Sequence, residues 1–115
     1  MLLTLAGALV SPSNEALATV VCAPGQSSYS GVVSSTSGLV GYWRLGEPSG
    51  TVACDVTGHN NGSYVGGFAL GVPGAISGDP DTAVGLDGST GQVSVPASES
   101  LNVGDTFTIE GWVKR

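Results

Sequence analysis

The chain has 115 residues, of which nineteen are glycine and only 10% are charged. That length holds one domain at most, and so glycine-rich and charge-poor a composition suits short strands and tight turns better than helices. Nine acidic against three basic side chains leave a net charge of −6, which excludes recognition of nucleic acid through its phosphates, since that needs clustered Lys and Arg. The acidity favours solubility and tolerates a cation such as calcium.

Residues 2–10 form an apolar run, and Ala16-Leu17-Ala18 offers the small-x-small pattern of a signal peptidase site. Residues 1–18 are therefore expected to be a signal peptide, although no Lys or Arg precedes the run; an apolar N-terminal helix is the alternative. The run is too short for the roughly twenty residues that a membrane-spanning helix needs, so no membrane span is expected and the protein reads as secreted or displayed at the cell surface. Cys22 and Cys54 suit that compartment. Paired, they would tether the N-terminal segment to the turn after the first strand, a link worth roughly 3–4 kcal/mol in the loop-entropy model; two free buried thiols are the alternative. Val21 is not the small residue that usually precedes a lipidated cysteine. With His59, the two cysteines lack zinc-site spacing.

Residues 19–38 are rich in Ser and Gly, show no sustained periodicity and read as a linker. The domain is expected to begin at residue 39 and to run to 115. Residues 39–47 alternate with a period of two, which predicts a strand with Trp43 and Leu45 facing the core and Tyr42 and Arg44 on the other side. Further strands are expected at 63–65, 68–70, 83–87, 92–95 and 106–114. Turn residues separate them: Gly58-His59-Asn60-Asn61-Gly62, Val72-Pro73-Gly74, Gly78-Asp79-Pro80-Asp81 and Asp87-Gly88-Ser89-Thr90-Gly91. The last is expected to close a β-hairpin, with Val84 and Leu86 packed near Val93 and Val95. On the final strand Phe107, Ile109, Gly111 and Val113 share the core side, and Thr108, Glu110 and Trp112 the other. That second face sets a carboxylate beside an indole, either a sugar-facing surface or a half-buried second face. The pattern predicts an all-β, antiparallel β-sandwich.

The order of the motifs resembles the laminin-G-like, concanavalin A-like β-sandwich modules. Tyr42-Trp43-Arg44-Leu45-Gly46-Glu47 is followed by Asn61-Gly62-Ser63-Tyr64-Val65-Gly66-Gly67 and by Gly74-Ala75-Ile76-Ser77-Gly78-Asp79. Ala83-Val84-Gly85-Leu86-Asp87-Gly88, Val93-Ser94-Val95-Pro96 and Phe107-Thr108-Ile109-Glu110-Gly111-Trp112-Val113-Lys114 complete the series. The resemblance implies a jelly-roll sandwich whose N-terminal part is residues 39–115, the module being incomplete because the last strand runs straight into Lys114-Arg115. It also implies a non-catalytic module that binds carbohydrate or an extracellular protein, an adhesion unit of a secreted or surface protein. The alternatives are an accessory domain of a glycoside hydrolase or peptidase whose catalytic part lies beyond residue 115, and a ligand-free spacer. Fold alone does not choose among them.

Catalysis finds little to work with. Glycosidases need two carboxyl groups about 5–10 Å apart, and the final strand carries only Glu110. His59 has no neighbouring Ser or Cys nucleophile with an orienting acid. The chain is not expected to be an enzyme. Calcium takes oxygen ligands from carboxylates, amides and carbonyls of loops, and Asp55-Val56-Thr57-Gly58-His59-Asn60-Asn61-Gly62 offers such groups. This turn matches the family's Asp-x-Ser-Gly-Asn-x-x-Gly segment, with Thr57 for Ser and His59 for Asn. Glu47, Asp55 and Asn60 are the candidate calcium ligands; alternatively Asp55 and the asparagines satisfy turn backbone groups. Asp79-Pro80-Asp81 reads as a solvated turn, and Asn61-Gly62-Ser63 as turn chemistry more than as a glycosylation site. Arg44 is expected to form a salt bridge with Glu47 or Glu110, or else to touch ligand. The candidate ligand surface is Tyr42, Arg44, Glu110 and Trp112, and sugar binding predicts that Tyr42, Tyr64 or Trp112 is accessible to solvent.

Overall fold

The computed structural model describes residues 22, 23 and 27–115; the expected signal peptide lies outside the described residues. The serine-rich stretch read as a linker carries a short helix, α1 (Ser28–Ser34). Serine opens helices well because its hydroxyl accepts an otherwise unpartnered N–H of the first turn. Here Ser27 and Ser30 form a reciprocal capping box: Ser30 N donates to Ser27 Oγ at 3.1 Å and Ser27 N to Ser30 Oγ at 3.2 Å.

Five short strands follow: β1 (Val52–Ala53), β2 (Gly62–Val65), β3 (Phe68–Pro73), β4 (Thr82–Leu86) and β5 (Gln92–Ser94). They form a three-stranded sheet in the order β1-β2-β5 and a two-stranded sheet β3-β4, with every pairing antiparallel. The described chain is thus strand-dominated and antiparallel, as expected.

The pairing differs from the expected hairpin. Strand β4 does not fold back on β5; it pairs with β3, with Phe68 opposite Leu86, while β5 pairs with β2, with Tyr64 opposite Val93. The two sheets are therefore one long ribbon, β2-β3 against β4-β5, turned at residues 74–81 and interrupted halfway. At the interruption Gly66-Gly67 lies against the Asp87–Gly91 excursion: Gly67 N donates to Thr90 Oγ1 at 3.0 Å and Asp87 N to Gly67 O at 3.0 Å. Such corners let strands pass from one sheet to another. The Asp87 carboxylate closes the excursion on itself, accepting from Ser89 N, Thr90 N, Thr90 Oγ1 and Gly91 N at 2.7–2.9 Å. These donors hold its carboxyl well below the usual carboxylate range. A second irregularity breaks the β3-β4 register between Ala69 and Val72.

Residues 39–47 make only one bridge, Trp43 opposite Asp55, and not a continuous strand. Leu45 is the cause: its φ is 58°, a left-handed conformation that ends any ladder and costs a side-chain-bearing residue about 1–2 kcal/mol. Nor is the final strand formed. After the 3-10 turn Glu99–Leu101, residues 103–115 have no regular structure, and Phe107 and Ile109, expected in the core, are exposed. Among the described residues the buried apolar side chains are Ala53, Cys54 and Tyr64, and they share the interior with Ser30, Asp55 and Asn60. The interior is as much a hydrogen-bond network as an apolar core.

Candidate functional site

Asp55 stands where the Trp43 bridge meets the turn after β1, and it is 0% exposed. Its Oδ1 accepts from Tyr42 N at 2.9 Å and Thr57 N at 3.0 Å; its Oδ2 accepts from Thr57 Oγ1 at 2.5 Å and Asn60 N at 2.9 Å. Burial pushes its pKa up, but these donors, led by the Thr57 hydroxyl, outweigh burial and hold it below the ordinary value. The amide N–H of Asp55 in turn donates to Asn61 Oδ1 at 2.9 Å.

Asn60 extends the network. Its Nδ2 donates to Val40 O at 3.0 Å, its carbonyl accepts the Trp43 indole N–H at 2.8 Å, and its Oδ1 accepts Ser98 Oγ at 2.5 Å and Ser100 Oγ at 2.9 Å. Two separate stretches of chain, residues 40–43 and residues 98–100, are thereby tied to one turn. Glu47 lies on the far side of Cys54: Oε1 accepts Cys54 N at 2.9 Å, and Oε2 accepts the Tyr64 hydroxyl. Tyr64 stacks on Phe68 with ring centroids 5.1 Å apart. Burial first, and the Glu47 carboxylate second, raise the Tyr64 pKa.

The three candidate calcium ligands therefore divide. Asp55 and Asn60 meet directly, Glu47 faces Tyr64 instead, and every carboxylate oxygen of Glu47 and Asp55 has a protein donor. Among the described residues no three His, Cys, Asp or Glu side chains converge so as to hold a metal ion.

The candidate ligand residues divide as well. Arg44 grips Asp81 with two guanidinium nitrogens, Nε at 2.8 Å, and reaches Ala23 O through Nη1 at 3.3 Å. Neither Glu47 nor Glu110 is its partner, and Asp81 is no solvated loop acid. The sequence hid this pairing because the two residues stand 37 positions apart, and only the tertiary fold brings them together. Tyr42 is half-buried, and its pKa is raised by burial, which the nearby Arg44 opposes and Tyr29 and Asp79 reinforce. Glu110 is exposed, and so is Trp112, at 68%. The Trp112 indole N–H donates to the Tyr29 hydroxyl at 3.2 Å, so two aromatic side chains stand together at the surface. Of the aromatics on which sugar binding was expected to depend, Trp112 is open, Tyr42 half-buried and Tyr64 buried.

Cys22 and Cys54 form a disulfide, with Cα atoms 5.3 Å apart. The bond ties the start of the described chain to the residue beside Asp55 and fits an oxidising compartment. Among the described residues no helix is long and apolar enough to cross a membrane. The chain matches no family model, no curated protein and no solved structure.

Proposed function

We propose that this chain is a non-catalytic binding module, of laminin-G-like jelly-roll type, of a secreted or cell-surface protein, with a glycan as its first ligand and an extracellular protein as the alternative. The observation that carries the reading is the division of labour among the side chains. Asp55, Glu47, Asp81, Asp87 and Arg44 are engaged in contacts within the chain, whereas Trp112 and Tyr29 meet at the surface. Exposed aromatic faces with polar tips suit ligands that offer both C–H surface and hydroxyls. Catalytic carboxylates, by contrast, must be free to exchange protons with a substrate.

Titrating the full chain with a panel of neutral oligosaccharides, followed by Trp emission, tests the proposal. A saturable change that disappears in Trp112→Ala, with half-buried Trp43 retained as an internal reference, supports it. No saturable change across the panel, or undiminished binding by Trp112→Ala, removes Trp112 as the ligand surface.

Calcium enters this proposal as a competitor for the Asp55 turn, where an ion has to displace the Thr57 hydroxyl and three backbone N–H donors. Melting in calcium against melting in chelator decides between them. An upward shift with calcium assigns the ion to the module; superimposable melts leave the turn to its own hydrogen bonds.

A further inference from the structure

Residues 105–115 retain the sequence of a strand without the ladder of one. Phe107, Ile109 and Val113 alternate along it and are 59, 83 and 89% exposed. Among the described residues, no backbone hydrogen bond joins residues 103–115 to the rest of the chain. Phe107 also borders an open groove with Val40 and Val103, both exposed, so the apolar surface continues onto the body of the protein. Contiguous exposed apolar surface of this kind marks an interaction site, and an alternating segment with unpaired backbone groups is a template for another strand.

The charges single out the partner. The segment begins with an acid, Asp105, and ends with Lys114-Arg115, which are the chain's only bases besides Arg44. Arg44 is already paired with Asp81, and the net charge is −6. A basic end therefore meets its complement on a surface as acidic as the chain's own. We propose that residues 105–115 pair antiparallel with the same segment of a second copy, in a two-fold register centred on Glu110.

That register sets Asp105 against Arg115 at both ends, Phe107 against Val113 and Ile109 against Gly111, with Phe107, Ile109 and Val113 of both copies on one face. Sliding the copies two residues either way keeps the faces matched but sets Val113 against Asp105 or Phe107 against Arg115, and the end charge pairs are lost. The chosen register has one defect, the two Glu110 carboxylates side by side, and like charges directly opposite weaken a strand pair. Trp112 lies on the other face with Glu110 and Thr108, so self-association and ligand binding stand or fall separately.

Sedimentation equilibrium of the oxidised full chain, from micromolar to hundreds of micromolar, tests the proposal. The wild type is expected to show a reversible monomer–dimer equilibrium. Ile109→Asp should abolish it without moving the urea midpoint of the monomer, since Ile109 is 83% exposed in its own chain. Glu110→Gln should tighten it by about two- to five-fold by removing the like-charge pair. A wild type that stays monomeric throughout, a dimer indifferent to Ile109→Asp, or a Glu110→Gln chain that associates no more tightly overturns the proposal.

Discussion

Asp55 shows how one residue can replace a cluster of apolar contacts. Its carboxylate accepts four hydrogen bonds in full burial, and each donor left unpartnered costs about 1–3 kcal/mol. Asp55→Asn turns one acceptor into a donor facing N–H groups and should remove most of a stability that for small domains totals about 5–15 kcal/mol. A urea melt of the variant reads this directly. The pH dependence has a definite sign. Because the folded pKa lies below the ordinary 3.8, the unfolded chain binds the proton first on acidification. The Asp55 contribution is therefore complete above the unfolded value and is lost as pH falls through the folded one. Thermal melts from neutral pH to about pH 2 should show this acid limb, diminished in Asp55→Asn. Tyr64 acts at the opposite end. Its pKa is raised from 10.0, so its contribution is complete below the unfolded value and fades as pH rises toward the folded one. Tyr64→Phe keeps the stack on Phe68 but loses the bond to Glu47, at a cost near the lower end of the roughly 1.5–3 kcal/mol for hydrogen bonds to charged groups, because water reaches half-buried Glu47. The alkaline limb should shrink in its melts, leaving the part that Tyr42, also raised by burial, contributes.

At the scale of elements, the corner between the two sheets depends on close backbone approach. A Cβ at Gly66 would stand 2.1 Å from Thr90 O, and its φ is 75°; Gly88, at φ 71°, has nothing within 4 Å of its Cβ position. Gly88→Ala should cost about 1–2 kcal/mol, the left-handed penalty alone. Gly66→Ala should cost distinctly more, since the Asp87–Gly91 excursion must also move. Paired urea melts give the difference, and equal costs would mean that the corner yields freely. This corner also marks where the sequence stopped being readable. The turn chemistry of Asp87-Gly88-Ser89-Thr90-Gly91 was visible, and so were the alternations on either side. A turn between two alternating strands implies a hairpin, however, unless one knows that Gly66-Gly67 lies across from it, and that is a long-range fact. Local signals placed β2, β3, β4 and β5 nearly correctly, and for the same reason they paired β4 with β5. Along residues 39–47 the alternation was equally clear, but Arg44 is drawn to Asp81 and Glu47 to Cys54 and Tyr64. Leu45 turns left-handed between these anchors. In the site, the chemistry of the Asp55 turn was legible from its Asp, Thr and Asn content. The hydroxyls of Ser98 and Ser100 that complete Asn60 carried no local signal at all.

For the whole molecule the disulfide is the largest single constraint. It joins residues 32 positions apart, and closing such a loop removes roughly 3–4 kcal/mol of unfolded-state entropy in the chain-entropy model. A domain with a large apolar core withstands that loss, but here Ala53, Cys54 and Tyr64 are the buried apolar side chains among the described residues. Small domains with little buried apolar surface depend on such cross-links. Cys54 also carries the N–H that Glu47 accepts and neighbours Asp55, so the bond anchors the hydrogen-bond network at the point where it turns. The Cys22→Ser, Cys54→Ser double variant should therefore lose about 3–4 kcal/mol by the same model, and with it most of the cooperative transition seen by Trp43 fluorescence. Reducing agent should reproduce the effect on the native chain and leave the double variant unchanged. If the variant instead melts at the wild-type midpoint, the Asp55 network holds the fold without its cross-link, and the small apolar interior is sufficient.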